Sequence, residues 1–380
     1  MKNTKISELP LKPEDVGIDY TPSFVDTDMT KAERLFVSGL IKYYEPRNIL
    51  EVGVAGGGGS ANILNTIQDM HTTLVSIDVV EKFNHPYVGV LDVGTYAIQD
   101  FPTVSSPKWR LLLGKDPSER MDELNEIFDL LILDTNHVHP SESLNFLSVL
   151  PYLSDNAVII LHDITLYMNI LEMGKGLSCF ATRILMSAVC ADKLEPNIVG
   201  FGGHTNIVAF QMSPITRQYI RNVFDALMLP WEWFPNTIDV VRQFINKHYS
   251  EELRDIFERS VQLNLEIALL KGKLPANIKN KMSNTSFIFY GAGNGMKNVL
   301  SILEKSGIEF NFPIFDVNAE HIKNINGHPV TVPDFTAIAK PGQTIIITIE
   351  NEQIANEVRT QFEALGYMVF HRFKNYILSH

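Results

Sequence analysis

The chain has 380 residues, 45% hydrophobic and 20% charged, which is room for two to three globular domains of about 100–200 residues each. A net charge of −12 with no long run of Lys or Arg argues against nucleic acid or an anionic membrane surface as the main partner. No segment reaches the roughly 18 apolar residues of a membrane span, the first residues lack a signal-peptide core, and two cysteines form no disulfide or metal-ligand framework, so a soluble cytoplasmic protein is expected.

Residues 1–30, with Pro10, Pro13 and Pro22, read as an arm without its own core. Residues 29–44 have helical spacing, with Leu35, Phe36, Leu40 and Ile41 on one face. Strands are expected at 49–53, 73–79, 109–113, 128–134 and 157–162. Each is a short apolar run without alternation, the pattern of strands buried on both faces of a parallel sheet. Between the first strand and an apolar helix over 61–67 stands Gly53-Val54-Ala55-Gly56-Gly57-Gly58-Gly59-Ser60. Strand, glycine turn and helix in that order bring backbone amides close to a nucleotide-like ligand. The Gly-Lys-Ser/Thr of a P-loop is missing.

After Asp163 a helical stretch is expected through 191, carrying Cys179 and Cys190 as buried apolar residues. The runs 197–201 and 206–212, around Gly202-Gly203-His204, read as a hairpin at the sheet edge, with His204 structural or rim-forming. Residues 216–270 read as helical, with Trp231, Trp233 and Phe234 near a proline-broken turn as a core or subunit-contact cluster rather than a sugar-stacking platform. Their last part, 251–270, is a charged amphipathic helix open to the sheet, the second domain or another subunit, and 271–284 reads as a linker. A second alternation follows: strand 286–290, the turn Gly291-Ala292-Gly293-Asn294-Gly295, helix 296–305, strands 312–316 and 344–349, helix 352–365 and strand 368–373. The expected organisation is α/β: an arm 1–30, a seven-stranded Rossmann-like domain 31–215, a helical segment and linker 216–284, and a second, smaller Rossmann-like domain 285–380.

Asp78 ends the second strand about 25 residues past Gly53, where an acid can accept hydrogen bonds from both ribose hydroxyls of an adenosine. A nicotinamide dinucleotide and S-adenosylmethionine (SAM) both fit that placement. Glu51, the acid before the turn, and the terminal hairpin favour the methyl donor. Asp134 and Asp163 end neighbouring strands and would converge at the carboxyl edge of the sheet. Two carboxylates suit Mg²⁺, which lowers the pKa of a bound hydroxyl, and His137 could take the released proton. His139 reads as a loop residue.

The blocks from Ile49 to Ser60, Ile77-Asp78, Phe128 to His137 and Val158 to Asp163 together resemble class I SAM-dependent methyltransferases. Within them the chain is most similar to a bacterial subgroup that includes sugar O-methyltransferases of macrolide and polysaccharide pathways, over residues 30–212. The resemblance implies SAM as cofactor, with Glu51, Gly53, Ala55, Gly57 and Ser60 at the methionine end and Asp78 at the ribose. It places Gly114, in the turn Gly114-Lys115-Asp116, near the adenine, and Asp134 at the cofactor as well as at the metal. It also implies a metal between Asp134 and Asp163 and a basic His137. His162 stands where a further acid is usual, so His162 replaces a ligand or the site is metal-free with histidine base catalysis.

The run from Phe287 to Gly295 with Phe315-Asp316 resembles small Rossmann-like domains of nucleotide-sugar-modifying enzymes. It implies a second nucleotide ligand at Gly291, Gly293, Gly295 and Asp316, with scaffolding or dimerisation as the alternative. The expected activity is SAM-dependent O-methylation of a sugar, nucleotide sugar or related small polar acceptor. N-methylation of an amino sugar or amino acid, and a non-catalytic nucleotide-sensing protein, are the alternatives, and a homo-oligomer is left open.

Overall fold

The structure is a computed structural model that describes residues 4–18, 20, 29–85, 89–101, 108–197, 204–272, 274–333 and 343–378. The chain divides into two compact units, Met1–Phe257 and Glu258–His380, with the division inside the helix Glu251–Leu270.

The first unit contains β1 (Asn48–Val52), β2 (Thr73–Asp78), β3 (Lys82–His85), β4 (Gly89–Asp92), β5 (Trp109–Leu113), β6 (Phe128–Leu133), β7 (Leu153–His162), β8 (Lys193–Leu194) and β9 (Ile207–Gln211). Seven of them form one sheet in the order β5-β2-β1-β6-β7-β9-β8. β5 through β7 are parallel, and β9 runs antiparallel to both β7 and β8. The chain fills one side of β1 with β2 and β5, then returns to fill the other with β6 and β7. The direction of winding therefore reverses between β1 and β6, where open α/β sheets present a crevice beyond the strand ends. Val52 pairs with both Ile77 and Leu133, so Gly53, Asp78 and Asp134 leave the sheet at one edge.

The helix Lys31–Tyr44 starts at a Thr30/Glu33 capping box and buries Phe36, Leu40, Ile41 and Tyr44 against the sheet's core; Leu35 is half-buried. The arm's Ile6, Tyr20 and Met29 join that same core, which explains why the arm needs none of its own.

Four expectations for this unit are corrected or extended. The helical stretch after Asp163 is two helices, Leu166–Glu172 and Ala181–Ala188, because Gly174, Gly176 and Cys179 take left-handed φ between them. Cys179 and Cys190 consequently lie outside the helices as half-buried free thiols. The edge hairpin is built by β8 and β9, and residues 198–201 of the expected run lie outside the described residues; His204 is exposed. The β3–β4 hairpin, made of largely polar residues, had no apolar signal to reveal it. Trp231 is buried beside Phe234, whereas Trp233 is half-exposed.

The second unit has β10 (Phe287–Tyr290), β11 (Ile314–Phe315), β12 (Asn324–Ile325), β13 (His328–Thr331), β14 (Thr344–Ile347) and β15 (Met368–His371), in the order β12-β13-β11-β10-β14-β15, parallel except for β12. Alternate residues feed two cores: Phe287, Phe289 and Ile346 on one face, Ile288, Tyr290, Ile345 and Ile347 on the other. The supposed linker holds the helix Ala276–Ser283: Ile278 and Met282, one turn apart, are buried in the first of these cores while Asn280 and Lys281 are exposed. Among the described residues no helix is long and apolar enough to cross a membrane.

Candidate active site

Gly53, at φ +92°, crosses the end of β6 so closely that a Cβ there would lie 1.7 Å from the Asp134 carbonyl oxygen. The turn that follows is shaped by Asp78, whose carboxylate accepts the amide protons of Val54 at 3.0 Å and Ala55 at 3.2 Å. Ala55 and Gly57 both have positive φ, and Gly57 is the N-cap of the helix Gly58–Ile67.

Beneath the turn Glu51 is buried and accepts hydrogen bonds from Ser60 (2.5 Å) and Ser76 (2.6 Å), and Ser76 in turn accepts from the Trp109 indole at 3.0 Å. Burial pushes the Glu51 carboxyl up to about 7. The two serine hydroxyls oppose that shift, and the charges of Asp134 and Asp78 add to it. Ser60 is fully buried, with its hydroxyl spent on Glu51.

Two cavities meet at this turn. One, of about 370 Å³, has apolar walls from Val80, Phe83, Leu144 and Trp233 and acids at Asp78 and Asp116. The other, of about 710 Å³, has a polar wall that includes Glu33, His137, Asp163, Asn169 and Asn206, with Glu51 also reaching it. They share Gly53, Val54, Ala55, Asp134 and Thr135. Gly57, Ser60 and Gly114 line neither. Gly114 instead donates its amide to the Asp78 carbonyl, and Lys115 pairs with Glu123.

Asp134 and Asp163 follow the adjacent strands β6 and β7 and do converge. His137, at φ +61°, places Nε2 3.2 Å from Asp163 Oδ2 and 3.6 Å from Asp134 Oδ1. Its Nδ1 lies 3.4 Å from Glu142, a fully buried carboxylate that also accepts the His137 amide at 2.7 Å and the Thr135 hydroxyl at 2.9 Å. Burial lowers the His137 pKa, but Glu142, Asp134 and Asp163 outweigh it and carry it up to about 9. The surrounding carboxylates therefore favour the charged ring, and the neutral ring gains as pH rises toward that value. His139 is the opposite case, pushed by burial down to about 4. Its amide donates to Glu232, which also accepts from the amide of Cys179 and so ties two loops together.

His162 is buried, with Nδ1 3.2 Å from Asp134 Oδ2 and 3.7 Å from Asp163 Oδ1, and Nε2 3.7 Å from Glu33 Oε1. Neither nitrogen makes a hydrogen bond of ordinary geometry. Burial opposes its charge, yet the surrounding carboxylates, Asp134 foremost, raise its pKa well above the usual value. Asp134 is held below the carboxylate range: its burial, which raises it, is outweighed by His162 and His137. Asp163 is pushed up by burial and by Asp134. One ligand atom from each of Asp134, His162 and Asp163 lies within 4.8 Å of the others. Two carboxylates and a buried imidazole without a hydrogen bond are a donor set that fits a divalent cation.

Glu33, Glu142 and Asn206 are site residues that sequence reasoning missed. Thr30-x-x-Glu33 before an apolar run is a legible capping-box signature, but it reads as a helix start and nothing more. Asn206 accepts from the Thr165 amide and donates to Asp163 Oδ1 at 2.6 Å, a role visible only once β9 lies beside β7.

In the second unit Asp316 accepts the Ala292 amide at 2.7 Å, the same contact that Asp78 makes in the first. A Cβ at Gly291 would meet Ile349 at 2.8 Å and one at Gly295 the Thr348 carbonyl at 2.1 Å, so packing accounts for both glycines. A cavity of about 460 Å³ there is lined by Gly295, Thr348, Phe373 and Arg372 among others, and not by Gly291, Gly293 or Asp316.

Residues 50–164 match the family described as a methyltransferase domain. The sequence matches no curated protein. Among solved structures the chain is similar to the O-methyltransferase TomG of Streptomyces achromogenes, involved in tomaymycin synthesis and in complex with SAM (17% identity, 50% of this chain and 82% of that one, TM-score 0.37). It is also similar to an O-methyltransferase of Bacillus cereus in complex with SAH (16%, 49% and 83%, TM-score 0.38) and to the SAH-bound methyltransferase PaMTH1 of Podospora anserina (14%, 49% and 80%, TM-score 0.36). The family match covers the glycine turn, Asp78, Asp134 and Asp163.

Proposed function

We propose that the protein is a SAM-dependent methyltransferase acting on an oxygen of a small hydroxylated acceptor, with a sugar or nucleotide sugar as the preferred class. One observation carries this reading: an apolar, acid-anchored cavity and a polar, carboxylate-rich cavity share the wall Gly53, Val54, Ala55, Asp134 and Thr135. The apolar cavity suits an adenosine, with Asp78 toward the ribose hydroxyls and Trp233 and Phe83 against the base. The methionine end then passes over Gly53 toward Glu51, Gly53 being fixed as glycine by its own close approach to the Asp134 carbonyl. The polar cavity supports a hydroxylated acceptor, because Glu33, Asn169 and Asn206 offer several hydrogen-bonding groups along one wall.

SAM supplies an activated methyl group for in-line displacement by the acceptor oxygen. The chain's own work is to hold that oxygen in line, exclude water and receive its proton. His137 is the proton acceptor in this reading, acting through its neutral form, which its raised pKa makes the minor one until pH approaches 9, and it is oriented by Glu142 through both its amide and its Nδ1. Asp134, His162 and Asp163 would hold a divalent cation, Mg²⁺ being the ion the resemblance implies. Such an ion supplies charge that makes a bound hydroxyl more acidic. Incubation with methyl-labelled SAM and a panel of hydroxylated acceptors tests the reading. Label in a sugar or nucleotide sugar supports it, and label confined to amino groups overturns the O-methylation part.

A further inference from the structure

We infer that the cation held by Asp134, His162 and Asp163 is a first-row transition dication rather than Mg²⁺, selected by a Glu33–His162 pair behind the site. The inference rests on the reading of that cluster as a cation site.

The nitrogen in the donor set is the first ground. Mg²⁺ favours oxygen ligands and retained waters, whereas imidazole suits iron, cobalt, nickel and zinc. The spacing is the second, and it shows room for an ion of either class rather than choosing between them. Donors about 2.1 Å from one ion lie about 3.0 Å apart at right angles and about 3.4 Å apart at tetrahedral angles. His162 Nδ1 stands 3.2 Å from Asp134 Oδ2 and 3.7 Å from Asp163 Oδ1.

The third ground lies behind the imidazole. A metal-ligating histidine almost always turns its other nitrogen to a carboxylate, carbonyl or water, which sets the tautomer and the ring orientation. Here Nε2 faces Glu33 Oε1 at 3.7 Å, while Glu33 Oε2 is occupied by the Thr30 amide (2.7 Å) and hydroxyl (2.8 Å). The capping box thus fixes one oxygen and leaves the other toward His162. Asn206 fixes Asp163 in the same way.

The experiment strips the full-length protein with chelator, titrates it with Co²⁺ while following visible absorption and heat, and then competes with Mg²⁺. The expected result is one equivalent of Co²⁺ bound, a hyperfine-shifted exchangeable imidazole N–H proton in the cobalt protein's NMR spectrum, and no displacement by Mg²⁺ at equal concentration. His162→Asp is expected to reverse the preference so that Mg²⁺ displaces Co²⁺. Glu33→Gln is expected to weaken Co²⁺ by about 10- to 100-fold. Circular dichroism melts confirm that each variant folds, and the imidazole resonance needs no variant. Displacement of Co²⁺ by equimolar Mg²⁺ in the wild type, or absence of the imidazole resonance, overturns the inference and leaves a cation site standing. Failure to take up either ion overturns both. SAM titrated in chelator reports separately on the methyl-donor reading.

Discussion

The Asp78 carboxylate accepts the amide proton of Val54 across the glycine turn, at 3.0 Å. Ala55 donates to the same oxygen, and Asp316 repeats the arrangement with Ala292 in the second unit. An acid ending the second strand therefore holds the turn's shape before any ligand arrives. In the first unit that acid also lines a cavity, whereas the cavity described in the second unit is lined by Gly295 and Thr348 and not by Asp316. The same local chemistry thus supports a candidate donor site in one unit and a packed turn in the other.

Glu51 makes stability depend on pH. Its folded pKa of about 7 lies above the ordinary 4.5, so the native state keeps a proton that the unfolded chain releases between those values. The associated stability is fully present below pH 4.5 and is lost as pH rises through 7, on the order of 3 kcal/mol in all. Urea unfolding at pH 5 and pH 8 should show that loss, and Glu51→Gln should remove most of it. An unchanged pH slope in the variant contradicts the assignment.

Replacement of His137 by Ala should lower turnover by about 10²- to 10⁴-fold, the usual worth of a positioned general base. SAM affinity should stay near the wild-type value, because the ring faces Asp134 and Asp163 rather than the apolar cavity proposed for the adenosine. Single-turnover rates and calorimetry separate the two quantities. Retained turnover removes His137 from the mechanism.

Trp233 comes from the segment after β9 and closes the apolar cavity while remaining half-exposed. Trp233→Ala should weaken SAM about tenfold, in keeping with about 1 kcal/mol for an aromatic stacking contact. Global stability should change little. Unaltered affinity in equilibrium dialysis would remove Trp233 from the site.

Gly295→Ala forces a Cβ to within 2.1 Å of the Thr348 carbonyl. The second unit should lose about 1–3 kcal/mol, the cost of overpacking a tight contact. SAM binding should be untouched. A wild-type melt of the variant contradicts the packing account of this glycine.

The parts legible in the sequence were those carried by local pattern. β1, β2, β5 and β6 are short, largely apolar runs, and their ends were placed to within a residue or two. Asp78, Asp134 and Asp163 were found because strand ends in a parallel sheet share one edge. The rest depended on tertiary partners. Glu33 and Glu142 sit in helix first turns and gain meaning only when His162 and His137 fold against them. Ser60 is a ligand contact only as the resemblance implies it, and one helical turn carries its hydroxyl back to Glu51. The helix Ala276–Ser283 was hidden because its Lys and Asn residues outnumber the two apolar side chains that anchor it.

Calorimetric titration with SAM, in chelator, of the wild type and of Asp78→Ala tests the central claim most directly. The donor reading predicts one site in the wild type and a loss of about 10- to 100-fold in the variant, since a hydrogen bond to a charged group is worth about 1.5–3 kcal/mol. No heat from the wild type, or equal affinity in the two proteins, would contradict it.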